Sequence, residues 1–234
     1  MKIKICGLFR EMDIDFVNIH KPDYIGFVFA KSRRQISFET AITFRNRLSN
    51  AILPVGVFVD SPIDEIKKIY GAGIISIVQL HGCEDKAYIA DLKKNCDMPV
   101  IKSISSDKII FFDKTKIPTA EPRTQNKSRA EGLNPTERMK LKNTIEEIEN
   151  LGADYILFDS QKAGSGYRFD WNILDAFNTL QIPYFLAGGI NLENIKEACS
   201  KSPFCIDVSS GAETDGKKDN NKIKLLVESV RNNS

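Results

Sequence analysis

Tyr155–Trp171, YILFDSQKAGSGYRFDW, is the stretch on which the fold turns. Tyr155–Phe158 is an apolar run of the length of a buried strand. Asp159 follows at once, then a loop with Gly164 and Gly166. Phe169-Asp170-Trp171 marks a helix start with Asp170 as N-cap. A carboxylate at the C-terminal end of a buried strand stands where α/β folds place their chemistry. A strand, a glycine loop and a helix start also present backbone N–H groups to an anion, which makes Gly166 a candidate phosphate contact. Taken alone, the stretch is equally an ordinary connection whose aspartate caps a helix, so its neighbours decide.

The neighbours repeat the alternation. Strands are predicted at Lys2–Cys6, which alternates, and at Tyr24–Phe29, Leu53–Val59 and Ile75–Leu80, with a fifth beginning at Pro99–Ile101. Helices are predicted between them at Arg10–His20 (Met12, Phe16 and Ile19 on one side), Phe38–Leu48 after Ser37, Pro62–Tyr70 after Ser61, and Glu84–Lys94. Asn134-Pro135-Thr136-Glu137 starts a helix that runs to about Asn150 and stops at Gly152. Beyond the opening stretch come a strand at Pro183–Ala187, a helix capped by Asn191 with Leu192, Ile195 and Cys199 on its buried side, and a strand at Cys205–Val208. A last helix spans about Asn220–Val230, with Ile223, Leu226, Val227 and Val230 along one face. Eight strands alternating with eight helices predict a single (β/α)₈ barrel over residues 1–234; a doubly wound sheet fits the count less well. One interval is about twice the others. Residues 103–133 are polar and proline-bearing, and they predict a loop insertion after the fifth strand, on the catalytic face. Within it, Lys114–Gly132 is net basic and reads either as a solvated loop or as a flap beside the site.

Composition excludes several classes. A formal net charge of +2 over 234 residues gives no electrostatic case for nucleic acid. No apolar stretch is long enough for a membrane span or a signal peptide. The five cysteines, Cys6, Cys83, Cys96, Cys199 and Cys205, are odd in number and lack a C-x-x-C, which argues against a disulfide framework and for a reducing cytoplasm. His20 and His81 are not spaced with cysteines as zinc ligands would be.

In a barrel the strand ends converge on one rim. The chain offers there a thiol at Cys6, a guanidinium at Arg34, an imidazole at His81 and a carboxylate at Asp159. Gly188-Gly189 and Ser209-Ser210-Gly211 end the seventh and eighth strands, where such barrels commonly hold a phosphate. Asp207, inside the eighth strand, is a carboxylate that needs a partner if it faces the interior. Each also has a plain reading as a packing, loop or capping residue. Cys83, Cys96, Cys199 and Cys205 read as packing.

These residues sit in motifs that resemble the phosphoribosylanthranilate isomerase family of tryptophan biosynthesis. The motifs are KICGL at Lys4–Leu8, GFVF at Gly26–Phe29 with SRR at Ser32–Arg34, VGVFV at Val55–Val59 and VQLHG at Val78–Gly82. LFDS, GSG and FDW follow between Leu157 and Trp171, then AGGI at Ala187–Ile190 and DVSSGAE at Asp207–Glu213. They occur in family order and span nearly the whole chain outside the insertion. The resemblance implies a cofactor-free, metal-free Amadori rearrangement of an anthranilate aminoaldose phosphate, a small phosphorylated substrate, with monomer and homodimer both open. It implies Cys6 as general base, Asp159 as general acid and Arg34 as the substrate arginine, with His81 and Asp207 as further substrate contacts. A thiol base must be thiolate, and a nearby Arg34 and helix N-termini are expected to favour that form. Two features depart from the family: Leu8-Phe9-Arg10 replaces a frequent hydroxyl residue after KICG, and the insertion is longer than usual. An isomerase of histidine biosynthesis has a carboxylate where this chain has Cys6. A phosphate-binding barrel without activity would not need both Cys6 and Asp159.

Overall fold

Near-continuous apolar runs need cover on both faces, and a parallel strand flanked by helices supplies it. The computed structural model describes residues 1–94, 97–109, 134–160 and 169–233. Its strands are β1 (Lys2–Cys6), β2 (Tyr24–Val28), β3 (Leu53–Phe58), β4 (Ile77–Leu80), β5 (Val100–Ser105), β6 (Tyr155–Asp159), β7 (Tyr184–Leu186) and β8 (Cys205–Val208). They form a closed barrel in sequence order, and β1 pairs in parallel with both β2 and β8 to close it. Successive residues face opposite ways. Ile3 and Ile5 therefore join the layer between sheet and helices, while Lys4 and Cys6 share the opposite face of β1. The lower interior is filled by Tyr24, Val55, Ile77, Ile101, Leu157, Phe185 and Cys205. Phe185 is its hub, with ring centroids 5.6–5.7 Å from Tyr24, Tyr155 and Phe204.

The helices are α1 (Glu11–His20), α2 (Phe38–Arg47), α3 (Ile63–Gly71), α4 (Lys86–Lys94), α5 (Pro135–Glu149), α6 (Ile195–Ser200) and α7 (Asn220–Asn232). Three depart from expectation. α1 presents Met12 and Ile19 to solvent and buries Asp13, Ile14 and Val17. Its ten residues carry two apolar stripes, and capping selects between them: the Asp13 carboxylate accepts from Phe9 N and Arg10 N and pairs with the Arg10 guanidinium. That pair, rather than a hydroxyl, holds the first loop. After β6 the expected helix is a 3₁₀ segment, Trp171–Phe177, although Asp170 does cap it by accepting from Asn172 N. Asn191 caps a turn ahead of α6, accepting from Glu193 N and Asn194 N, so the helix starts three residues beyond the position foreseen.

β5 extends to Ser105 and passes through a 3₁₀ turn, Ser106–Lys108, to buried Ile109. Residues 103–109 thus belong to the barrel and not to the polar insertion. The remainder of that insertion, with Lys114–Gly132, lies outside the described residues, as do Gly164, Gly166 and Cys96. Cys199 and Cys205 are buried as expected, whereas Cys83 is exposed on the loop after β4. An antiparallel hairpin of β9 (Glu213–Thr214) and β10 (Lys217–Lys218) turns at Asp215-Gly216, both at positive φ.

Candidate active site

Above the apolar floor the interior turns polar, because the inward positions near the strand ends are Lys4, Cys6, Gln79, His81, Asp159 and Asp207. A cavity of about 260 Å³ opens there. Cys6, Arg34, His81, Asp159 and Asp207 all line it. Gly188, Gly189, Ser209 and Ser210 form its rim from the loops after β7 and β8. Gly211 lies one step outside, in an adjoining hollow shared with Gly189, Ser210 and Lys222. The predicted rim residues are therefore brought together, apart from Gly166, which is not described.

A hydrogen-bonded chain crosses the interior. Lys4 Nζ, fully buried, donates to Asp207 Oδ2 at 2.8 Å and to Gln79 Oε1 at 2.7 Å. Gln79 Nε2 lies 2.9 Å from His81 Nδ1, and His81 Nε2 faces Asp159 Oδ2 at 3.4 Å. Burial opposes the charge on Lys4, but the Asp207 carboxylate overrides it and holds the ammonium above its ordinary pKa. Asp207 Oδ1 is buried and has no hydrogen-bond partner among the described residues. An acceptor in that condition is costly unless a ligand satisfies it. Asp159 Oδ1 accepts from Ser160 N at 2.7 Å, which fixes the carboxylate plane.

Burial pushes the Cys6 thiol up, opposed by Lys4 and Lys218 and reinforced by Asp207. The cations acting on the thiol are thus the two lysines. The expectation that Arg34 favours the thiolate is corrected, because Glu213 holds the Arg34 guanidinium. Arg34 Nε donates to Glu213 Oε1 at 2.7 Å and its Nη2 to Oε2 at 3.1 Å. Arg33 and Lys218 bind the same carboxylate. Burial alone would raise Glu213, yet these donors pull it down to about 2. Burial pushes Lys218 down and Arg34 repels it further, while the Glu213 carboxylate works the other way.

Glycines make these approaches possible. Gly7, at φ +79°, lies under the Arg34 side chain, and a Cβ there would collide with it. A Cβ at Gly26 would come within 2.6 Å of Cys6 Sγ, so this glycine leaves room for the thiol. Gly188, at φ +87°, would place a Cβ 2.9 Å from Ser160 N, against the bond that orients Asp159. Ser209 Oγ donates to Cys6 O at 3.2 Å, tying the last loop to the first strand.

Lys4, Gln79, Glu213 and Lys218 escape the sequence reading. A lysine between Ile3 and Ile5 in an interior strand was the available signal for the first. Gln79, two residues before His81 on the same strand face, was the signal for the second. Among the described residues, no group of three or more His, Cys, Asp and Glu is placed to hold a metal ion.

The chain is similar to known proteins over nearly its whole length. A family model described as N-(5'-phosphoribosyl)anthranilate (PRA) isomerase matches residues 3–124 and 120–229. A protein of that name from Endomicrobium trichonymphae is 42% identical over 235 residues, 98% of each chain. The crystal structure of phosphoribosyl anthranilate isomerase from Thermotoga maritima superposes with a TM-score of 0.76 at 27% identity, covering 99% of both chains. Another solved isomerase, in complex with reduced 1-(o-carboxyphenylamino)-1-deoxyribulose 5-phosphate, gives 0.73 at 27% identity over 99% of both. The chain belongs to the N-(5'-phosphoribosyl)anthranilate isomerase family.

Proposed function

We propose that the chain converts N-(5'-phosphoribosyl)anthranilate into 1-(2-carboxyphenylamino)-1-deoxyribulose 5-phosphate, the Amadori step of tryptophan biosynthesis, with Cys6 as base and Asp159 as acid. One observation carries the assignment of roles: a thiol on β1 and a carboxylate on β6 line the same cavity beneath a rim of glycines and serines. Asp159, in its carboxylic acid form, protonates the furanose ring oxygen, and the ring opens to a Schiff base. Cys6, as thiolate, removes the C2 proton, and the enolamine so formed tautomerises to the ketone. The protonated imine is itself the electron sink, so the scheme calls for no cofactor.

Binding follows the same geometry. Gly188, Gly189, Ser209 and Ser210 are suited to a phosphate, with Gly211 supporting them from behind. Arg34 Nη1 is left by Glu213 to meet an anionic group in the cavity. Asp207 Oδ1 gains a donor when a sugar hydroxyl enters. The proposed setting is the cytoplasm; no helix of the described residues is long and apolar enough to cross a membrane.

The test is turnover of the fluorescent anthranilate aminoaldose by purified protein, followed as loss of fluorescence. Cys6→Ser and Asp159→Asn should each stay folded and lower kcat by about 10²-fold or more. A folded Cys6→Ser protein with native turnover would remove the thiol from the mechanism. An Asp159→Asn protein altered only in KM would make that carboxylate a binding group.

A further inference from the structure

Lys4 and Gln79 belong to neither proposed chemical role, yet they sit at the centre of the polar interior. Lys4 Nζ is a donor and cannot accept, so the Gln79 group 2.7 Å from it must be the carbonyl oxygen. The Gln79 amide is thereby oriented with its NH₂ toward His81 Nδ1, 2.9 Å away. An NH₂ can only donate, so Nδ1 must offer its lone pair. In a neutral imidazole the proton then resides on Nε2, the nitrogen that faces Asp159 Oδ2 at 3.4 Å.

We propose that Lys4 and Gln79 are positioning residues that hold His81 as its Nε2–H tautomer, so that the imidazole presents a donor and not a lone pair to Asp159 and the substrate. The inference rests on Asp159 being the acid. Its consequence is directional. An imidazole with a free Nε2 lone pair could take the acid's proton; an Nε2–H cannot. His81 is thereby closed to the Asp159 proton, which stays available to the ring oxygen of the substrate. Asp207 completes the device from the far side, because its Oδ2 keeps Lys4 in place at 2.8 Å and keeps it charged. The direction of every bond is thus set by a side chain three strands away from the acid it serves.

The chain has two histidines, which makes the tautomer directly readable. Long-range ¹H–¹⁵N correlation spectra of the resting protein at neutral pH, with His20→Gln used for assignment, should show His81 with a pyrrole-type Nε2 and a pyridine-type Nδ1. A protonated Nδ1 in the native protein would overturn the proposal. Gln79→Glu preserves shape and still accepts from Lys4, but it offers an acceptor to Nδ1. It should move the proton to Nδ1 and lower kcat about tenfold or more with little change in KM. A shifted tautomer with native kcat would overturn the catalytic half of the idea. Lys4→Met frees the amide to rotate and should abolish the single tautomer; retention of a pure Nε2–H form would show that the lysine does not set it. Because the spectra are taken without substrate, they stand even if the aminoaldose proves not to be turned over, and that failure would count against the proposed function alone.

Discussion

Cys6 sits among charges of both signs, and its reactivity should report their balance. Burial raises its pKa above the ordinary 9.0, so the thiolate fraction grows with pH and its midpoint lies on the alkaline side. Alkylation at Cys6, followed by peptide mass mapping to separate it from exposed Cys83, should accelerate up to and beyond pH 9.0. Lys4→Met removes a cation that opposes the shift and should slow the reaction at any given pH; a faster reaction would reverse the assigned sign. Glu213 behaves oppositely. Its folded pKa of about 2 lies below the ordinary 4.5, so its stabilisation is complete above pH 4.5 and is lost as pH falls toward 2. Glu213→Gln should cost on the order of 3 kcal/mol near neutral pH, and the gap to the native chain should narrow in acid. Urea unfolding at several pH values measures it, and a constant gap would show that the carboxylate's charge is not what matters. The place of Cys6 and Asp159 at the cavity was readable from sequence because each ends a predicted strand. The partners of Lys4 could not, because Gln79 and Asp207 lie 75 and 203 residues away and only barrel closure brings them in.

At the scale of elements, the loops after β7 and β8 meet backbone to backbone. A Cβ at Gly211 would collide with the Ile190 carbonyl oxygen and come within 2.9 Å of Asn191 Cα. Gly211→Ala should therefore force the two loops apart at a cost of about 1–3 kcal/mol. Because the displaced groups are the proposed phosphate contacts, KM should rise by about tenfold while kcat changes little; an unchanged KM would place the phosphate elsewhere. Strand positions were readable because buried parallel strands are apolar almost without interruption, as in Tyr24–Val28. Helix faces were less so: α1 carries two stripes, and an Arg10–Asp13 contact selects between them. The β9–β10 hairpin was missed although Asp215-Gly216 is a strong turn signal, because its strands are only two residues each and show no alternation.

For the molecule as a whole, the apolar floor and the polar site occupy opposite ends of the barrel. The apolar floor around Phe185 contains none of the proposed site groups. Phe185→Ala should cost about 3–5 kcal/mol in a melting or denaturant experiment and leave kcat near its native value in the folded fraction. A large fall in kcat would mean that the floor also sets the geometry above it. The barrel architecture itself was legible, since eight strand–helix alternations leave few other ways to cover every strand; which interior side chains pair was not. The Arg34–Glu213 clamp has a consequence in time as well as in space. It joins residues 179 positions apart, across the seam where the last strand meets the first. A nascent chain can build β1 through β7 and still lack the carboxylate that holds Arg34. A nascent chain halted before Glu213 should therefore be catalytically silent, and one that has released Glu213 together with α7 (Asn220–Asn232) should be active.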